Sequence, residues 1–391
     1  MIIDRDLSPR LRKAARQFPA VTLTGPRQSG KSTLCRAVFP KLPYASLEAP
    51  DVRAFVEEDP RAFLGQFPKG AVIDEVQRAP DLPSYLQGII DADPKPGRWI
   101  LTGSQNLALL ETVSQSLAGR SAVLHLLPLA RSEVLRFKRH PKSLDATLLA
   151  GGYPRIFDQR LDPSDWLRSY VATYIERDVR TISNVGDLAT FQRFVELCAG
   201  RTAQLLNYSS LAADCGISQP SAKAWLSILE TSFVTFRLPV FHSNLRKRLL
   251  KMPKLHFYDS GLVCWLLGIR TVEQLRSHPL RGAIFESWVA SEIYKHRVNV
   301  GETAGLFFYR DRDAAEADIV IEDPERLTLV EAKSAQTASS SLFAGANRVR
   351  GHLAEHSRPC DIVVIYGGDE AQRRSDAKLV SWKHLHEEKW A

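Results

Sequence analysis

The sequence predicts an α/β chain of several modules: a parallel-sheet core that binds phosphate, a helical segment, a winged helix-turn-helix, and a C-terminal α/β domain. Three observations carry this. Residues 1–130 alternate short apolar runs (AVTLT, GAVID, WILTG, AVLHLL) with helical patterns, the signature of a parallel sheet flanked by helices. A glycine-rich GPRQSGKS follows the first run. From about residue 280 a helical stretch, GAIFESWVASEIYKH, precedes several strand-like runs ending at DIVVIYGG.

At 391 residues the chain exceeds the size at which one core stops growing, so several domains are expected: 1–130, a helical 131–205, a winged helix at 206–270, and 275–391. A formal net charge of +8 biases the partner list toward polyanions, nucleic acid first. No apolar run approaches membrane-spanning length, and MIIDRDLSPR has no charged-then-apolar leader, so no membrane is expected. The five cysteines are scattered without a CxxC pair, which argues against a zinc site or a disulfide framework and fits a reducing cytoplasm.

Gly25, Pro26, Arg27, Gln28, Ser29, Gly30, Lys31 and Ser32 satisfy GxxxxGK[ST] between a strand and the helix that Thr33 continues. Backbone N–H groups of such a loop surround phosphates at a helix N-terminus. Lys31 is expected to reach the β and γ phosphates, and Ser32 to ligate Mg2+. In AVIDEVQ, Asp74 ends a buried strand and is expected to hold the same ion, while Glu75 polarises the attacking water. RWILTGSQ ends a third strand with Thr102 and Ser104. Ser104 has two readings, a sensor of the γ-phosphate and an N-cap for the following NLALLETVSQSL. Arg120, in LAGRSAVLHL, complements a helix end or reaches a neighbouring subunit's phosphate as an arginine finger.

TGPRQSGKSTL, VIDEVQ, LTGSQ and SLAGR together resemble AAA+ ATPases of the family that carries a C-terminal DUF4143 region. GGYPRIF, LLNYSSLAADCGISQPSAKAWLSILE, KMPKLHFYDSGL, AIFESWVASEI and FFYRDRDAAEADIVI resemble landmarks of that region, so the likeness runs nearly end to end. It implies an ATP- and Mg2+-dependent motor or switch, assembled as a homo-oligomer, six subunits by analogy, and it favours the finger role for Arg120. Arg155, after GGYP, departs from the acidic residue expected there.

LLNYSSLAADCGISQPSAKAWLSILE reads as helix, turn, helix, closed by Gly216 and restarted by Ser218. The second helix offers Gln219, Ser221, Lys223 and Ser227 outward, where a major groove is met. SFVTFRLPVF and PKLHFYD are expected to pair as a wing. Arg246, Lys247, Arg248 and Lys251 between them suit phosphate contacts.

AEADIVIEDPERLTLVEAKS reads as a hairpin turning on residues 323–326, which sets Asp318 opposite Glu331 and Glu316 opposite Lys333. Facing carboxylates destabilise a ladder unless something neutralises them, and a divalent cation suits oxygen donors. The order Asp, then Glu-x-Lys, is similar to that of PD-(D/E)xK nucleases. That likeness implies a metal at Asp318, Glu331 and Glu286, with Lys333 activating water. The rival to a live nuclease is a domain of this fold without catalysis. The function expected is an ATPase that couples turnover to DNA binding or remodelling. The alternatives are an ATP-gated, metal-dependent DNA nuclease and a nucleotide-controlled interaction switch without motor activity.

Overall fold

A computed structural model describes residues 2–104, 116–175, 187–242, 252–311, 315–353, 358–373 and 377–391. The stretch expected to form helix NLALLETVSQSL therefore lies mostly outside the described residues. So do Arg246, Lys247, Arg248 and Lys251.

The N-terminal sheet contains β1 (Ala20–Thr24), β2 (Tyr44–Ser46), β3 (Ala71–Asp74), β4 (Trp99–Thr102) and β5 (Ser121–His125), all parallel, in the order β2-β3-β4-β1-β5. The strands are short, and β1, β3 and β4 are buried along their whole length because both faces are covered. Val21, Leu23, Val72 and Ile100 pack against Leu7, Leu11 and Leu34 on one side; Ala20, Ile73, Trp99 and Leu101 pack against Leu82, Leu86 and Ile90 on the other. The glycine-rich loop connects the carboxyl end of β1 to helix Lys31–Val38. Backbone space there is scarce: Gly25 has φ +146°, and a Cβ on it would lie 2.2 Å from the Leu126 carbonyl oxygen.

The helical segment contains Leu144–Ala150, Pro154–Asp158, Pro163–Tyr170 and Leu188–Ala199. Within the described part of WLRSYVATYIERDV, residues 166–175, the helix is not regular throughout. The α-helix ends at Tyr170 and a π-helical turn, Val171–Ile175, follows. Next come β6 (Gln204–Leu205), helix Tyr208–Cys215, helix Gln219–Thr231, β7 (Thr235–Leu238) and β8 (Lys254–Phe257). Gly216 closes the first helix at φ +72°, and the Ser218 hydroxyl caps the second by accepting from Ser221 N–H at 3.1 Å. β7 and β8 pair antiparallel, as expected for those two runs, and β6 adds a third strand beside β8.

The C-terminal sheet holds β9 (Leu306–Arg310), β10 (Glu316–Glu322), β11 (Leu327–Lys333), β12 (Cys360–Tyr366), β13 (Gln372–Arg373) and β14 (Ala377–Ser381), ordered β13-β14-β12-β11-β10-β9. β9, β10 and β11 run antiparallel, while β12 and β14 lie parallel to β11. The hairpin register is the one expected: Ile319 faces Val330 and Val320 faces Leu329, around a turn closed by Asp323 N–H to the Arg326 carbonyl at 3.1 Å. Helix Arg281–Val300 covers one face, and helix Ala344–Leu353 packs with the opposite cluster.

Past the first of them, near residue 130, the expected boundaries do not separate hydrophobic cores. One buried cluster runs from Leu127 through Phe194, Leu226, Phe257 and Phe285 to Trp390, joining the helical segment, the helix pair with its three-stranded sheet, and the C-terminal sheet. Among the described residues no helix is long and apolar enough to cross a membrane.

Candidate functional site

The carboxyl ends of β1, β3 and β4 bring the predicted residues of the first site together. Ser32 Oγ donates to Asp74 Oδ2 at 2.8 Å. Tyr44 OH donates to the same oxygen, and Thr102 Oγ1 donates to Asp74 Oδ1. Asp74 is thus fixed by one donor from each neighbouring element, its carboxylate turned to the head of the loop helix. Tyr44 escaped sequence reasoning because nothing marks a lone tyrosine on an edge strand. Burial, then the bond to Asp74, pushes its hydroxyl up to about 12.

Glu75 stands just past β3 in the left-handed region at φ +58°, a conformation uncommon for a side chain of its size and one that turns it off the strand. Ser104 Oγ donates to Glu75 Oε2 at 3.0 Å, and Gln77 Nε2 donates to Glu75 Oε2 and, at 3.1 Å, to Ser104 Oγ. Gln77 is a second residue sequence reasoning missed, though VIDEVQ contains it.

Lys31 is buried, and Nζ donates to the carbonyls of Gly25 and Pro26, both at 2.9 Å. Burial presses its pKa down to about 8, against the pull of Glu75 and Asp74. A cation held by neutral carbonyls in a dry loop is suited to receive an anion. Ser29 Oγ, buried in the same loop, has no partner among the described atoms. The donor set therefore fits a polyphosphate with a magnesium ion.

Arg5, from the N-terminal segment, braces this loop: Nη1 donates to the Ser29 carbonyl at 2.7 Å, Nη2 to the Leu127 carbonyl at 2.8 Å, and Nε to Glu133 at 2.8 Å. A cavity of about 730 Å³ opens beside the loop, lined by Ile2, Arg5, Lys31, Asp74, Glu75 and Arg155 among others. Arg155, left without a role by its sequence, stands on helix Pro154–Asp158 with Nε 3.2 Å from Gln159 Oε1.

Arg120 lies elsewhere. Its carbonyl accepts from Ala20 N–H at the start of β1, and its guanidinium pairs with Asp91 at 2.9 Å. That is the amino edge of the sheet, about 15 Å from the phosphate loop at ~3.3 Å per strand residue.

A second cluster gathers Glu286, Asp318, Glu331 and Lys333, as expected, but adds Lys254 from the first position of β8. Lys254 Nζ lies 2.8 Å from Glu286, 2.6 Å from Glu316 and 3.7 Å from Asp318. Lys333 Nζ lies 2.7 Å from Glu331 and 3.6 Å from Asp318. Glu316 thus engages Lys254, not the Lys333 expected opposite it. Among the described residues no group of three or more His, Cys, Asp or Glu side chains is arranged to hold a metal ion. Burial, then the Asp318 charge, pushes both Glu286 and Glu331 up to about 8. Burial alone lowers Lys254; its carboxylate neighbours, Glu286 first, more than offset this and hold it above its ordinary value.

On helix Gln219–Thr231, Gln219, Lys223 and Ser227 are exposed, and Lys223 Nζ sits 5.6 Å from the centre of the Tyr208 ring.

Comparison with known proteins gives three family matches: an AAA domain over residues 17–135, a domain of unknown function, DUF8612, over 141–273, and a domain of unknown function, DUF4143, over 281–385. GGYPRIF through KMPKLHFYDSGL, which the resemblance joined to the DUF4143 region, fall in the middle match. The chain is 31% identical over 380 residues to the uncharacterized proteins Rv2008c of Mycobacterium tuberculosis and Mb2031c of Mycobacterium bovis, covering 96% of this chain and 83% of theirs. Among solved structures it matches the Walker-type ATPase PABY2304 of Pyrococcus abyssi, at 16% identity and a TM-score of 0.46 over 68% of this chain and 96% of that one. It also matches a RuvB variant of Thermotoga maritima, at 19% identity and a TM-score of 0.31 over 60% of this chain and 87% of that one.

Proposed function

Because the chain belongs to the family that joins an AAA domain to a C-terminal DUF4143 domain, we propose that it hydrolyses ATP and uses the turnover to do work on DNA. One observation carries the ATPase reading: the Ser32–Asp74 and Glu75–Ser104 pairs converge beside a buried Lys31 whose ammonium bonds two loop carbonyls. In this reading Lys31 exchanges those carbonyls for β and γ phosphate oxygens, with backbone N–H groups at the head of helix Lys31–Val38 completing the cradle. Ser32 and Asp74 hold Mg2+, which when bound neutralises charge across the phosphates. Glu75 orients the attacking water, and Ser104 reports on the γ-phosphate through its bond to Glu75. Arg155 approaches the phosphates from the helical segment. Arg120, at the far edge of the sheet, serves only a neighbouring subunit's site, and so requires the homo-oligomer.

Lys31→Ala should abolish ATP binding or turnover. Glu75→Gln should retain ATP and lose at least ~100-fold in turnover, the scale of removing a general base. Normal hydrolysis by the Glu75→Gln protein would sink the assignment.

The DNA reading is supported by the net charge of +8 and by the polar outer face of helix Gln219–Thr231. Its test is the ATPase rate with single-stranded, duplex and branched DNA, for wild type and Lys223→Glu. A rate indifferent to all three favours the nucleotide-controlled interaction switch.

A further inference from the structure

The cluster around Asp318 resembles a nuclease centre in residue types, but an ammonium group stands where such a centre takes its ion. Lys254 belongs to the wing, yet its side chain crosses to the C-terminal sheet and is buried to 3% exposure. Its Nζ has three protons, and three carboxylates surround it: Glu316 at 2.6 Å, Glu286 at 2.8 Å and Asp318 at 3.7 Å. A magnesium ion in this space needs oxygen ligands at ~2.0–2.1 Å in near-octahedral array. Here the oxygens stand 2.6, 2.8 and 3.7 Å from the lysine nitrogen, the distances of an ammonium ion's partners.

The far side of Asp318 is occupied as well. Its Oδ2 accepts the Ala332 N–H at 2.9 Å and lies 3.6 Å from Lys333 Nζ, while Oδ1 faces Lys254. Oδ2 of the central acid is thus hydrogen-bonded to the backbone, and both oxygens lie within ion-pair distance of the protein's own lysines. Lys254, at 3% exposure, is no part of a solvated surface pair.

We propose that Lys254 is the resident cation of this cluster, standing in for the divalent metal of a nuclease, so that the cluster clasps the wing to the C-terminal sheet and does not cleave phosphodiesters. The proposal rests on the nuclease-like order of Asp318, Glu331 and Lys333, and is independent of the ATPase reading.

The test uses the full chain without nucleotide and Mn2+ alone as probe, read by calorimetry and thermal melting. Wild type is expected to show no Mn2+ binding that Asp318→Asn removes. Lys254→Gln should melt several degrees lower without metal, and millimolar Mn2+ should restore most of that loss unless Asp318→Asn is added. If Lys254→Gln does not fold, Lys254→Gln/Glu286→Gln, which removes the ammonium together with the glutamate it bonds, should recover soluble protein; its failure to do so overturns the clasp. Mn2+ binding by wild type that Asp318→Asn abolishes, or Mn2+-dependent plasmid nicking lost in the same variant, overturns the substitution of metal by lysine. Lys254→Gln with unchanged melting and no gain in Mn2+ binding overturns both parts.

Discussion

At the scale of single residues, polar groups are placed by their neighbours. Asp74 accepts from Ser32, Tyr44 and Thr102, so its orientation is set before any ligand arrives. Thr102→Val removes one donor at nearly constant shape, and should lower ATPase kcat/KM about tenfold, or ~1.4 kcal/mol, with melting little changed. Arg155→Ala should raise the KM for ATP, a direct check on its place in the cavity; an unchanged KM would remove it from the nucleotide's surroundings. His256 offers a pH test. Its ring is buried, stacks on Phe236 at 5.3 Å, has no hydrogen-bond partner among the described residues, and faces the Lys254 charge. Burial first and Lys254 second lower its pKa to about 3. The unfolded chain takes up a proton near 6.5 and the folded chain refuses it, so this contribution is whole above pH 6.5 and is lost as pH falls toward 3. By pH 5 the loss is about 2 kcal/mol. His256→Phe should therefore melt with a shallower decline between pH 7 and 5 than wild type does.

At the scale of elements, the landmarks GGYP and YDSGL are two halves of one joint. The Asp259 carboxylate accepts from Gly152 N–H at 2.6 Å and caps helix Ser260–Leu266 by accepting from Leu262 N–H at 2.8 Å. Gly151 sits at φ +63°, where a Cβ would come 2.3 Å from Asp259 Oδ1. Gly151→Ala should cost about 2 kcal/mol or more, through both the left-handed backbone and the collision. Asp259→Ala should cost a similar ~2–3 kcal/mol by orphaning buried N–H groups. Denaturant midpoints measure both. The Ser218 cap is a milder case: Ser218→Ala should lose about 1 kcal/mol.

At the scale of the molecule, the ATPase sheet reaches the other modules by contacts. At the end of β5, His125 Nδ1 lies 2.7 Å from Thr24 Oγ1, the last residue of β1 before the phosphate loop, and its ring lies 5.2 Å from that of Phe233 just before β7. Arg120 tests the assembly. Mixing Arg120→Ala with Glu75→Gln subunits should regain part of the activity that each lacks alone, since some sites then join an intact Glu75 to an intact Arg120. Absence of rescue would count against a finger acting between subunits.

The phosphate loop, the acidic strand end, the helix-turn-helix and the hairpin register follow from local rules, because motif spacing, caps and two-residue alternation act over a few residues each. Tertiary structure alone decided the rest: Tyr44 on Asp74, Arg5 under the loop, Arg155 in the cavity, and Lys254 among the carboxylates of a sheet more than sixty residues further along the chain. Sequence spacing specifies which residue types share an element's face. Which distant charge comes to balance a buried carboxylate depends on how whole elements pack, and the buried cluster running from Leu127 to Trp390 set that here.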